Sequence, residues 1–359
     1  SNPTVAENGG HAVFTLTLSN PSALPTTVSL ALSNGTASNP ADYTSGLEVS
    51  TDGGVTWTPA TSATFAPGVT SVQARTPIVD DNLAETTETF TLTATTTAGV
   101  TANPSAVGNA SITDNDTPAF SVNDVTVNEG AGTITFTVSL SNPSAATTTV
   151  AYGTTPGTAT TPADYAAGVN GLTGTLTFAA GVTSQTITLN VANDTVYEGA
   201  ESLNVNLSGA TGGAVITDAL GLGTILDDGT GTGGNNDDRP QVGSISSPTI
   251  AEGGNLDFTV ILTHPSNTPT VVTLTPASGS ATLGTDTQPL QVSFDNGSTW
   301  TPVVGSTVTV PGGNIDFIVR VPTQNDNISE PSETITLGAA TAQNAAPVVG
   351  TGTITDNDG

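Results

Sequence analysis

The chain has no cysteine and no lysine, and its only strong cations are Arg75, Arg239 and Arg320. Without cysteine there is no disulfide and no thiolate metal site, so stability must come from elsewhere. Those three arginines face 31 acids, and a net charge of −28 argues against nucleic acid or an anionic membrane as partner. No apolar run of about 18 residues occurs, so no direct membrane insertion is expected. No signal-peptide pattern is visible, as expected of a mature form or a fragment. Nucleophilic catalysis finds no Cys, no Lys and no placed base, and His11 and His264 lack partners for a triad or zinc site, so no enzymatic activity is expected. Aromatics are scarce at 4%, and with 40 Gly and 23 Pro that composition alone would permit disorder.

The pattern says otherwise. Residues 11–19 and 133–140 alternate apolar and Thr/Ser positions at period two, as half-buried strands do, and no stretch carries a helical period. The chain reads as all-β. It also repeats. Val5-Ala6-Glu7 returns as Val127-Asn128-Glu129 and Ile250-Ala251-Glu252, with the glutamates 122 and 123 residues apart. Asp42-Tyr43 returns as Asp164-Tyr165 and more loosely as Asp286. Each copy closes on an apolar strand and an acidic exit, ending at Asp116, Asp228 and Asp358. The expected units are 1–117, 118–229 and 241–359, the last two separated by a flexible Gly-rich linker at 230–240. Only Thr117-Pro118 separates the first two, which predicts a stiffer joint there. Units one and three share an insertion, 49–59 and 292–302, that carries Trp57 and Trp300 and has Asp-Gly and Asn-Gly hairpin turns.

Seven main strands in a unit of this length imply an immunoglobulin-like antiparallel sandwich. If successive strands alternate in direction, the turns after the odd-numbered strands gather at one pole. Those turns carry Glu7, Asp42, Asp80, Asp81, Glu85, Glu88, Asp114 and Asp116 in unit one. Unit two has Glu129, Asp164, Asp194, Glu198, Glu201, Asp227 and Asp228 there; unit three has Glu252, Asp286, Asp326, Glu330, Glu333, Asp356 and Asp358. That is 22 of 31 acids, so the charge is focused and not spread as a coat. Crowded carboxylates without cations repel unless a hard divalent ion sits among them, and Ca2+ fits best.

The Glu of the first turn, the Asp before Tyr, the Asp-x-x-x-Glu-x-x-Glu loop and the terminal Asp-x-Asp resemble the Calx-β domain three times over. That family includes calcium-binding domains of sodium–calcium exchangers and of large bacterial surface proteins. The resemblance implies that these acids are calcium ligands. Asn115 and Asn357 interrupt the exit triplets, and Asn193 and Asn325 replace the acid seen at Asp80, so fewer charged ligands imply fewer ions or weaker binding in units two and three. The leading expectation is an extracellular calcium-binding structural array of a bacterial surface protein: an adhesin stalk, a surface filament or a surface-layer subunit. Its partners are then calcium and neighbouring copies or domains of the same protein. A calcium-sensing regulatory module is the first alternative. A glycan-binding module is the second, hinted at only by the Trp hairpins, whose aromatic rings are better explained by packing.

Overall fold

The computed structural model describes residues 1–358. Period-two alternation of Val, Ile, Leu and Phe with Thr and Ser produces strands with one buried and one solvated face. Strand Thr133–Leu140, for example, has Ile134, Phe136, Val138 and Leu140 buried. The strands assemble into six sheets, two per repeat, and each repeat encloses its own core. In unit one Tyr43 stacks on Phe90 with ring centroids 4.2 Å apart. In unit two Phe120 meets Phe178 edge-on at 5.1 Å.

The first strand of every unit runs parallel to its last: Val5 pairs Ile112, Val127 pairs Ile225 and Ile250 pairs Ile354. Strands one and seven therefore leave at the same pole, as the odd-number argument requires. Each glutamate of the first turn sits just after its short strand. In units two and three a further strand leads in on the opposite sheet, Ala119–Val122 and Val242–Ile245.

The Trp segments are hairpins, Glu48–Ser50 with Thr58–Pro59 and Gln291–Ser293 with Thr301–Pro302. Their indole N–H groups donate to the carbonyls of Gly54 and Gly297. The ring faces are covered by arginine: Arg75 lies 4.3 Å from the Trp57 centroid and Arg320 lies 3.7 Å from that of Trp300. Two of the three arginines thus pack on the two tryptophans. No helix among the described residues is long and apolar enough to cross a membrane.

The Gly-rich stretch 230–240 departs from the flexible linker expected of it. It folds back onto the acidic pole of unit two. Asn128, fully buried where units one and three have Ala6 and Ala251, organises the fold-back. Its Nδ2 donates to the carbonyls of Thr230 and Asn236, both at 3.0 Å, and its Oδ1 accepts from the N–H groups of Gly130 and Asn236. Glycine content indicated freedom, but one buried amide fixes the segment.

Candidate metal centres

Two sets of carboxylates meet at the pole of each of the first two units. In unit one Glu7, Asp81 and Asp116 bring oxygens within 4.8 Å of one another, as do Asp42, Glu85 and Glu88. In unit two the sets are Glu129, Asp227 and Asp238, and Asp164, Glu198 and Glu201. Unit three closes one such set, Glu252, Asp356 and Asp358. Its Asp286, Glu330 and Glu333 instead line, with Asp326, an open cavity of about 260 Å³, where the matching cavities of units one and two measure about 10 Å³.

Backbone donors hold the ligands in place. The N–H groups of Ser38, Thr160 and Thr282 each donate at 2.6 Å to Oδ2 of Asp42, Asp164 and Asp286. Glu7 Oε1 accepts from Asp81 N at 3.1 Å, and Glu129 Oε1 accepts from Asp194 N at 2.6 Å. Asp81, Asp194 and Asp326 each accept, through Oδ1, the N–H two residues on, which shapes the acidic loop alike in all three units. Each such bond anchors one oxygen and leaves the other for a ligand.

Electrostatics show what the sets lack. Burial, and then the charges of Asp81, Asp114 and Asp116, push the Glu7 carboxyl up to about 7 despite its bond from Asp81 N–H. Glu88 is also pushed up to about 7, by burial and then by Asp42 and Glu85. Glu201 reaches about 7 through burial, Asp164 and Glu198. Asp227 reaches about 7 through burial and then the charges of Glu129 and Asp238, against a lowering bond from Glu198 N–H. Carboxylates so raised near neutrality are short of a counter-charge.

Three buried carboxylate oxygens, Asp116 Oδ2, Asp227 Oδ1 and Asp358 Oδ2, have no hydrogen-bond partner, one in each unit and each in a three-acid set. A buried orphan acceptor is costly unless a cation meets it. Every donor in the sets is a carboxylate oxygen, which suits a hard ion such as calcium and not zinc. The residues fit calcium.

Not every expected ligand joins a tight set. Asp114, Asp194 and Asp326 line the cavities beside them. Asp80 is exposed and acts on Asp116 only through its charge. Asp228 joins no set. Its Oδ1 accepts from Thr230 N at 3.0 Å, and the Thr230 hydroxyl, followed by the Arg239 charge, holds its carboxyl below the usual range.

In its place comes a residue the sequence reading assigned to the linker, Asp238, which is 4% exposed. A signal for it exists: Asp238-Arg239-Pro240-Gln241-Val242 lies 122 residues after Asp116-Thr117-Pro118-Ala119-Phe120, the same interval as Glu7 to Glu129. Unit two lacks the hairpin insertion and carries the 230–237 excursion instead. The ligand is thus displaced along the sequence while its place before the next unit's lead-in strand is kept.

The family model of the Calx-beta domain matches residues 1–116, 111–226 and 235–310. No curated protein matches the chain. Among solved structures, the apo form of the Calx CBD1 domain is 27% identical, with 32% of this chain and 99% of that one covered and a TM-score of 0.29. CBD12 from CALX1.2 is 20% identical over 62% of this chain and 96% of its own, with a TM-score of 0.30. Mouse cadherin-23 EC22-24 is 13% identical over 92% of this chain and 86% of its own, with a TM-score of 0.29.

Proposed function

The chain belongs to the Calx-beta family, and on that premise we propose that it is a rigid, calcium-loaded segment of an extracellular surface protein, of the stalk, filament or surface-layer kind. It is not read as an enzyme. The observation that carries the reading is the position of one ligand per joint. Asp116 and Asp238 each stand three and four residues, respectively, before the lead-in strands Ala119–Val122 and Val242–Ile245 of the next unit. A bound calcium ion supplies the positive charge and coordination positions that such an oxygen set demands. The chain's own residues supply the ligands: Glu7, Asp81 and Asp116, and Glu129, Asp227 and Asp238, would share an ion, so each pole would grip the segment entering its neighbour. Pro118 and Pro240, two residues after these ligands, fix φ and restrict the residue before them.

We assign the five closed carboxylate sets as the ion sites, and the Asp286, Glu330 and Glu333 group as a sixth, weaker one. Extracellular calcium is near millimolar and would keep weak sites of this kind filled, which favours a structural role over a sensor. A bacterial source fits the absence of cysteine and the abundance of Thr, Ala and Gly. The glycan-binding alternative loses support because an arginine covers one face of each indole.

The test is small-angle scattering of the chain with calcium and with EDTA. A fall in maximum dimension and a rise in flexibility on chelation are expected at both joints. Identical profiles would refute the stiffening role. Calorimetric titration gives the second discriminator, since filling at micromolar calcium with a shape change would favour the sensor.

A further inference from the structure

Both joints inside the chain are made by the same backbone pairing. In the first, Ala84 N donates to Pro143 O at 3.0 Å and Ala145 N donates to Ala84 O at 2.9 Å. In the second, Tyr197 N donates to Pro265 O at 2.9 Å and Asn267 N donates to Tyr197 O at 2.9 Å. One half of each joint is the acidic loop of the earlier unit, immediately before Glu85 or Glu198. The other half is a Pro-Ser turn of the later unit, whose serine, Ser144 or Ser266, is 5% or 3% exposed. The backbone is alike in the two, so a difference between the joints must lie in side chains.

One side chain differs in a way that reaches the carboxylate sets. Asn267 Nδ2 donates to Glu198 Oε1 at 2.6 Å, a bond from unit three to a member of the Asp164, Glu198 and Glu201 set of unit two. Ala145 stands at the same place in the first joint, 122 residues earlier, and has no side-chain donor to offer Glu85. An amide N–H on a carboxylate is a charge-assisted bond. It engages one Glu198 oxygen and leaves Oε2 for an ion. Burial and then the Asp164 charge push the Glu198 carboxyl up, and the Asn267 bond works against both, toward the ionised form that a cation needs. Glu198 also links the two sets of unit two, because its N–H donates to Asp227 Oδ2 at 3.0 Å. The same turn approaches the other set through His264, but its Nε2 is 3.6 Å from Asp238 Oδ1, beyond hydrogen-bond reach. Of these two contacts from unit three, only that of Asn267 fixes a ligand.

We propose that Asn267 of unit three is the positioning residue for the calcium ligand Glu198 of unit two, so that this set reaches its full affinity only while unit three is docked. The inference rests on reading the carboxylate sets as ion sites. A carboxylate already held in its ligating direction loses less rotamer freedom when the ion arrives, which is how a hydrogen-bonded partner raises the affinity of a ligand. The two joints are then unequal. In the second, calcium clasps the following unit through one of its own ligands; in the first, the matching Glu85 receives nothing from the Ala145 side chain. By linkage, the factor by which docking raises calcium affinity is also the factor by which calcium strengthens docking. The joint that carries the glycine-rich stretch is therefore the more calcium-responsive of the two.

Nuclear magnetic resonance of the full chain reads both sets in one calcium titration, through the amide signals of Gly199 and Thr86, which follow Glu198 and Glu85. Asn267→Ala should raise the calcium concentration that half-shifts the Gly199 signal by about fivefold and leave that of Thr86 in place. Asn267 is exposed, so water competes for its bond and keeps the factor at the lower end of the range for such partners. Calcium should also slow hydrogen exchange of the Tyr197 amide, which pairs with Pro265, and Asn267→Ala should remove about fivefold of that slowing. Ala145→Asn supplies the missing donor in the first joint. It should lower the Thr86 midpoint and leave that of Gly199 unchanged, and it tests the same bond even where Asn267→Ala disturbs unit three. A Gly199 midpoint unmoved by Asn267→Ala in a chain that still binds calcium overturns the positioning role and leaves the ion sites standing. A common shift of Gly199 and Thr86, as a general loss of stability would give, overturns it as well. A Thr86 midpoint that ignores Ala145→Asn refutes this account of why the joints differ. A parent chain in which neither signal responds to calcium overturns both this inference and the ion-site reading.

Discussion

Asp238→Asn keeps the size of a side chain and removes one charge from a buried set. Asp238, Asp227 and Glu129 are 4%, 3% and 6% exposed, with oxygens within 4.8 Å. Two full charges at that separation repel by about 3.5 kcal/mol at an effective dielectric of about 20. Because Asp227 titrates near 7, part of this repulsion is already relieved by a proton at neutral pH. The calcium-free protein should gain about 1–2 kcal/mol from the substitution. With calcium the sign reverses. Losing a charged ligand should weaken that site about tenfold or more, and each tenfold removes about 1.4 kcal/mol of mass-action stabilisation. At this unit size 1 kcal/mol moves Tm by about 4–6 °C. Scanning calorimetry of the full chain at pH 8 should find the unit-two transition several degrees above the parent in EDTA and several below it in excess calcium. Shifts of the same sign in both conditions would refute Asp238 as a ligand and return residues 230–240 to the role of a plain linker.

Chelated protein should lose stability as pH rises from 5 to 8. Glu7, Glu88, Glu201 and Asp227 have folded values near 7, above their ordinary range, so their contribution is full below pH 4 to 4.5 and lost through about 7. For Glu7 alone the difference is worth about 3 kcal/mol. Calcium requires the ionised form, so the Tm increment due to calcium should grow over the same window; a flat increment by calorimetry would contradict this. Asn128→Ala should cost unit two about 2–3 kcal/mol through its lost buried hydrogen bonds, and should weaken calcium binding there while leaving unit one unchanged in titration. Trp57→Ala should cost about 1–2 kcal/mol of packing and cation–π contact without altering calcium affinity, and a changed affinity would tie the hairpin to the pole. Asp81→Ala should abolish one set in unit one and leave the binding of units two and three in place, because no set of units two or three includes a residue of unit one.

The sequence by itself determined the all-β class, the three repeats and the pole at which the acids gather. Alternation at period two is a local property, and turn parity follows from strand count, so neither needs coordinates. Tertiary structure decided which acids form a set. Asp80 and Asp228 sit one residue from Asp81 and Asp227, yet a carboxylate's direction depends on which backbone N–H or hydroxyl captures it, as Thr230 captures Asp228. Asp238 lay hidden because the excursion before it is closed by Asn128, more than a hundred residues earlier, and a glycine count cannot register a buried amide. The joints were likewise invisible. Proline after Asp116 hinted at stiffness, but the pairing of Ala84 with Pro143 and of Tyr197 with Pro265 is made by backbone N–H and C=O groups, which leave no mark in sequence and which only packing brings face to face.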